Sequence, residues 1–259
     1  MQYTFAKIIF FKPIYVALFI FSWNYHCFAL ELVIRPTFSI WDVELGRNVS
    51  ELNDAIVGEI GCGTGGGPIG KPLISFKNFK DCDLSISNLY ELAFTYDDEK
   101  QYIAKALNIQ HRAMTAITTV YSHQVIISIL VQPNGEIVGF RIISDPRAPV
   151  EQRSRIVALG KVLLNRFSKW DIKCVDKFPE PGEMPVGNLF IKSTCTGLSP
   201  DLSVSLRLDM SYFRKDGQNA VNPETQNINT GYFEGKTHLT ILRSSFPNKS
   251  TLSKNYTNR

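Results

Sequence analysis

Hydrolytic sites are commonly built from a histidine, a hydroxyl and a carboxylate, and histidine is the scarce partner in this chain. There are four, and His111, His123 and His238 lie beyond the N-terminal segment. Only His123 and His238 fall in strand-like stretches able to hold an imidazole rigidly. Neither H-E-x-x-H nor G-x-S-x-G occurs. A Ser/His/Asp site using His123 or His238 stays open as an alternative, because triad members need not be neighbours in sequence. The acidic run Asp97-Asp98-Glu99 lacks the alternate oxygen spacing and bending glycine of a calcium loop, so it reads as a solvated turn. No catalytic residue, metal site or cofactor is assigned.

Two phosphate-loop patterns overlap around Cys62. Gly61-Cys62-Gly63-Thr64-Gly65-Gly66 fits GxGxxG, and Gly65 to Lys71 fits GxxxxGK. Such loops bind phosphate only where a strand enters and a helix leaves, with free amides aimed at the anion. Here a helix is expected before the loop. Pro72 also follows Lys71, where a nucleotide site needs a hydroxyl for magnesium. The stretch reads instead as an irregular segment held by a disulfide.

The compartment decides how the cysteines are read. Lys7 and Lys12 flank an apolar run from Ile14 to Trp23, no acid precedes Glu31, and Cys27-Phe28-Ala29 offers small residues where a signal peptidase reads. The run is shorter than the roughly 20 residues of a membrane-spanning helix. Residues 1–29 are therefore expected to be a secretory signal, with the mature chain starting at Leu30, exported to the periplasm or secreted, and no transmembrane segment after cleavage. Cys62, Cys82, Cys174 and Cys195 then form an even set in an oxidising compartment. No short C-x₂₋₄-C clip suits zinc. Of three possible pairings we favour Cys62–Cys82 and Cys174–Cys195, each closing a loop of about 20 residues worth roughly 3 kcal/mol.

The net charge of +4 falls by two with the signal lysines, which is no footprint for nucleic acid. The one suggestive surface is basic. Ile156, Leu159, Leu163 and Phe167 recur at helical spacing, so an amphipathic helix is expected from Glu151 to Phe167. Its outer face carries Arg153, Arg155, Lys161 and Arg166, with Arg141 and Arg147 close in sequence. Arg141, Arg147, Arg153, Arg155 and Arg166 are the candidate interaction surface for a protein partner or an anionic envelope component.

Several elements must position these residues. Leu32 to Val43 is expected as an opening strand, and Asn48-Val49-Ser50-Glu51 as the start of a helix ending near Gly58. Tyr90, Leu92, Phe94 and Tyr96 alternate as a half-buried strand. Gln101 to Leu107 is read as a second strand, with a helix as the alternative. Pro133-Asn134-Gly135 joins Val125–Val131 and Glu136–Ile143 into a hairpin. Val204 to Tyr212 alternates cleanly, Arg214 to Gly231 is a long turn, and Tyr232 to Leu242 closes the sheet. Asn48, Asn248 and Asn255 open Asn-x-Ser/Thr triplets. The sum is an α+β fold, mainly antiparallel sheet with two helices, stapled by two disulfides. The expected division is a signal at 1–29, an N-terminal module at 30–120, a C-terminal module at 121–243 and a disordered tail at 244–259.

The order Leu45-Gly46, short helix, glycine-rich loop and Tyr90–Tyr96 strand resembles the small α+β modules of outer-membrane-assembly lipoproteins (the BamE/SmpA-like group). Over most of its length the chain also resembles uncharacterised periplasmic or exported proteins of Gram-negative bacteria. Those carry segments similar to Cys62-Gly63-Thr64, Tyr96-Asp97-Asp98-Glu99 and Ile142-Ile143-Ser144-Asp145-Pro146-Arg147. The resemblances bring no known activity and supply no catalytic residue; the expectation from the whole sequence is an exported, non-catalytic cell-envelope protein that binds an envelope component or partner. A secreted hydrolase, or a secreted effector or inhibitor, is the alternative.

Overall fold

A computed structural model describes residues 39–95, 106–107, 118–222, 224–227, 229 and 231–244. These lie in one compact unit, Ile34–Arg259. The expected signal, most of the expected opening strand, Tyr96, Asp97-Asp98-Glu99, His111, Asn248, Asn255 and the tail beyond 244 fall outside the described residues.

The described residues form an eleven-stranded antiparallel sheet with few helices. The strands are β1 Ile60–Cys62, β2 Pro72–Leu73, β3 Tyr90–Phe94, β4 Thr119–Val120, β5 His123–Val131 and β6 Ile137–Ser144. They continue with β7 Asp171–Asp176, β8 Glu183–Met184, β9 Ile191–Leu198, β10 Val204–Lys215 and β11 Glu234–Arg243. Their order is β2-β1-β3-β5-β6-β11-β10-β9-β7, with β4 beside β5 and β8 beside β10. Strands from residues 30–120 and from 121–243 thus share one sheet, and β3 pairs with β5 across that division. Helix α1, Val150–Ser154, and helix α2, Ile156–Arg166, pack on it.

Alternation along each strand makes two unlike faces. On one, Leu92, Phe94, Ile127, Ile129, Ile142, Leu208 and Leu239 are buried in the main core. Helix α2 covers this face through Ile156, Leu159 and Leu163, and the Thr237 hydroxyl on β11 donates to the Ile156 carbonyl at 2.9 Å. At the other end a short 3-10 helix, Phe76–Asp81, lays Phe76 edge-on to Phe94 and Phe79 edge-on to Tyr90. Cys62–Cys82 ties that helix to β1.

The Asn-Gly hairpin forms as β5 and β6, with Gly135 at φ +90° supplying the turn backbone. Asn48 packs against it: the Asn48 side-chain amide donates to the Asn134 carbonyl, and its Oδ1 accepts from Ser50 N and Ser50 Oγ. The first Asn-x-Ser triplet is thereby folded onto itself, with the asparagine half-buried.

Four local expectations are corrected. The expected helix from Asn48 to Gly58 is two single 3-10 turns, Val49–Glu51 and Asp54–Ile56. Asn48 and Asn53 each cap the amide two residues on, and Leu52 between them is extended, so side-chain caps outcompete helix propagation. Ile40–Asp42, placed in the opening strand, is a 3-10 turn whose start is capped by Ser39. Ala106 and Leu107 are helical, the alternative weighed against a second strand there. The single helix expected from Glu151 breaks at Arg155.

Both disulfides pair as favoured, Cys62 with Cys82 and Cys174 with Cys195. The second does not close an irregular loop: Cys174 on β7 faces Cys195 on β9 as direct cross-strand partners.

Candidate functional site

The basic residues singled out by spacing do not gather on one surface. Arg153 turns inward, donating to the Phe233 carbonyl at 2.9 Å and resting 4.9 Å from the centre of that ring. Arg166 lies 4.0 Å from the Trp41 ring and donates to the Tyr121 hydroxyl. Arg147 is paired with Asp145, whose proximity raises the guanidinium's pKa through hydrogen bonding. Arg155 is exposed at the break between helices. Arg141 is on the opposite face of the sheet from the helices, since it pairs with Thr240 whereas helix-bound Thr237 has the other parity. Adjacent numbers on a strand and a helix do not make adjacent side chains.

What the fold does bring together is a polar row across that opposite face. Glu91 of β3 accepts from Ser128 of β5 at 2.6 Å and from Arg141 of β6 at 2.7 Å. Both partners of the ion pair are only 13% exposed. Arg141 then pairs across β11 with Thr240, and Thr240 with Arg207 of β10. Arg207 grips Asp209 through Nε and Nη2 at 2.8 and 2.9 Å, and Thr194 of β9 donates to the same carboxylate at 2.7 Å. Burial works to raise the Asp209 pKa, but the hydrogen bonds from Arg207 and Thr194 outweigh it and hold the carboxyl low.

One end of the row is closed by the glycine-rich segment. Gly63 N donates to the Glu91 carbonyl at 2.7 Å, and a Cβ at Gly63 would come within 2.3 Å of Glu91 Cγ. Cys62 N donates to the Lys71 carbonyl and Gly70 N donates to the Cys62 carbonyl, so the segment is a hairpin joining β1 to β2. Strand enters and strand leaves, and the Lys71 ammonium donates to the Asp81 carbonyl. The phosphate-loop patterns therefore have the wrong frame, and part of the expected irregular segment is strand.

The two histidines considered for a triad are both described. His238 sits in the row with Nε2 3.1 Å from the Thr240 hydroxyl. Burial, helped by Lys236, Arg141 and Arg207 and opposed by Asp209, pushes its pKa down to about 3. Such an imidazole is neutral at pH 7 but a poor proton acceptor, since a general base works best with a pKa near the operating pH. His123 lies on the core face of β5, where its Nδ1 donates to the Tyr121 carbonyl at 2.7 Å and its Nε2 is buried without a partner. Among the described residues no group of three His, Cys, Asp or Glu could hold a metal ion, and no helix is long and apolar enough to cross a membrane.

No protein-family model matches the chain, and no curated protein or solved structure matches it.

Sequence reasoning missed β7, β8 and β9. β7 is exposed at five of its six residues, so no apolar alternation marks it. The pairing of β9 with β10 follows from register alone.

Proposed function

We propose that this is an exported, non-catalytic cell-envelope protein that binds an envelope component or protein partner, in keeping with its resemblance to periplasmic proteins of Gram-negative bacteria. Its binding surface is the polar face of the sheet where β9, β10 and β11 bring it to solvent. One observation carries this reading: the charged side chains there are fixed in advance by pairing, Glu91 with Arg141 between strands and Arg207 with Asp209 along β10. A rigid polar face loses little conformational entropy when a partner docks, which favours recognition. The two disulfides suit an oxidising compartment.

The hydrolase reading draws on the contact between Thr240 and His238, and the same geometry weakens it. Asp209 lies across from His238 but spends its oxygens on Arg207 and Thr194. The imidazole thus lacks the carboxylate that orients a triad histidine.

Photo-crosslinking in intact envelopes tests the proposal. A photoreactive residue at Thr196 or Lys236, both exposed on the polar face, is expected to capture a partner, while one at Lys161 on α2 is not. Capture only from Lys161 would move the surface to the helices. N-terminal sequencing of the exported protein is expected to begin at Leu30, and an intact Met1 retained in washed membranes would indicate an anchored protein.

A further inference from the structure

Strand β7 ends the sheet, and among the described residues no strand pairs with its outer side. Asp171, Lys173, Cys174, Val175 and Asp176 are all exposed, Val175 at 64%. Just beyond the strand Phe178 is 91% exposed. The register with β9 is unbroken, so no bulge twists the edge away, and no proline interrupts it. Open edges of this kind are templates for another strand.

The hydrogen-bond phase says which backbone groups are available. Lys177 N donates to the Lys192 carbonyl at 2.7 Å. Antiparallel bonding alternates along a strand, so the groups of residues 171, 173, 175 and 177 point inward to β9. Those of Ile172, Cys174 and Asp176 point outward. Cys174 facing Cys195 at a Cα separation of 3.9 Å fits this phase, since non-hydrogen-bonded pairs are the closer ones.

We propose that β7 pairs with β7 of a second copy of this chain, antiparallel about a two-fold axis through Cys174. Only three registers join outward groups to outward groups near the strand centre. Shifting one way sets Lys173 against Lys173, and shifting the other sets Lys173 against Lys177; both oppose like charges. The register centred on Cys174 places Asp171 opposite Lys177 twice and Lys173 opposite Val175. It joins Ile172 to Asp176 and Cys174 to Cys174 through about six hydrogen bonds. One residue further, exposed Phe178 comes opposite Trp170. The strand is thus complementary to itself in charge and in phase. The inference is independent of the binding face proposed above.

Sedimentation equilibrium of the oxidised full chain, up to roughly 0.5 mM to capture weak association, is expected to show a concentration-dependent dimer. Asp176→Pro removes an outward N–H and leaves the β7–β9 bonds intact, as proline is tolerated with its ring on a free edge. It is expected to weaken dimerisation at least tenfold with little change in melting temperature. Lys177→Asp is expected to weaken it too, and Asp171→Lys added to Lys177→Asp to restore it. A chain monomeric throughout, or a dimer indifferent to both Asp176→Pro and the charge reversal, overturns the proposal.

Discussion

Asp209 faces His238 across β10 and β11, yet its carboxylate is turned along its own strand to Arg207. The imidazole is left with a hydroxyl partner, Thr240, and with three cations in its surroundings. That arrangement makes His238 a structural neutral histidine with a cost in acid.

The cost has a defined window. The unfolded chain binds a proton at His238 near pH 6.5, whereas the folded chain does so only near pH 3. Below pH 6.5 the unfolded state therefore gains protons first, and stability falls by about 1.4 kcal/mol per pH unit until the folded pKa is reached. Urea titrations from pH 7 to pH 4 are expected to show this loss, and His238→Gln to flatten it. An unchanged slope in the variant would place the acid sensitivity elsewhere.

Removing one member of the Glu91–Arg141 pair is expected to be worse than removing both. Glu91→Leu leaves a nearly buried guanidinium without its counter-charge, a loss of about 3 kcal/mol. Glu91→Leu with Arg141→Met replaces the pair by apolar side chains, which commonly recovers much of that loss. Denaturant midpoints of the two variants rank them, and equal losses would mean the pair is solvated in practice.

Gly63 and Gly160 separate a rigid neighbour from a yielding one. A Cβ at Gly63 meets Glu91 Cγ at 2.3 Å, and Glu91 is pinned by Ser128 and Arg141. Gly63→Ala is expected to destabilise by about 1–3 kcal/mol. At Gly160 the nearest atom is Met210 Sδ, also at 2.3 Å, but methionine is flexible and α2 gains up to about 1 kcal/mol from alanine. Thermal melts are expected to show the first variant clearly below the second.

The arginines near α1 and α2 should respond unequally. Arg153→Ala loses the bond to the Phe233 carbonyl and the ring contact, an expected cost of about 1–3 kcal/mol. Arg155→Ala removes an exposed side chain and is expected within about 0.5 kcal/mol of the parent. Similar melting temperatures for both would show that Arg153 is held no more firmly than Arg155.

What the sequence determined by itself was local. Alternation of Val204, Leu206, Leu208, Met210 and Tyr212 with polar residues marks β10, and Asn134-Gly135 between apolar runs marks the β5–β6 hairpin. Each signal is complete within a few residues, because side chains alternate across a strand and few dipeptides fit so tight a turn. The disulfide pairs were legible for a related reason, as both join cysteines about 20 residues apart. Tertiary structure decided the rest. Glu91 meets Arg141 only because β3, β5 and β6 lie side by side in a fixed register, 50 residues apart in the chain. The helical arginines looked like one stripe, but a half-buried arginine takes whatever carbonyl or ring the neighbouring element offers, and Phe233 is 80 residues away from Arg153. Strand β7 carries almost no pattern, because an edge residue with solvent on several sides is under little pressure to be apolar. Its place is fixed by the bonds that β9 supplies.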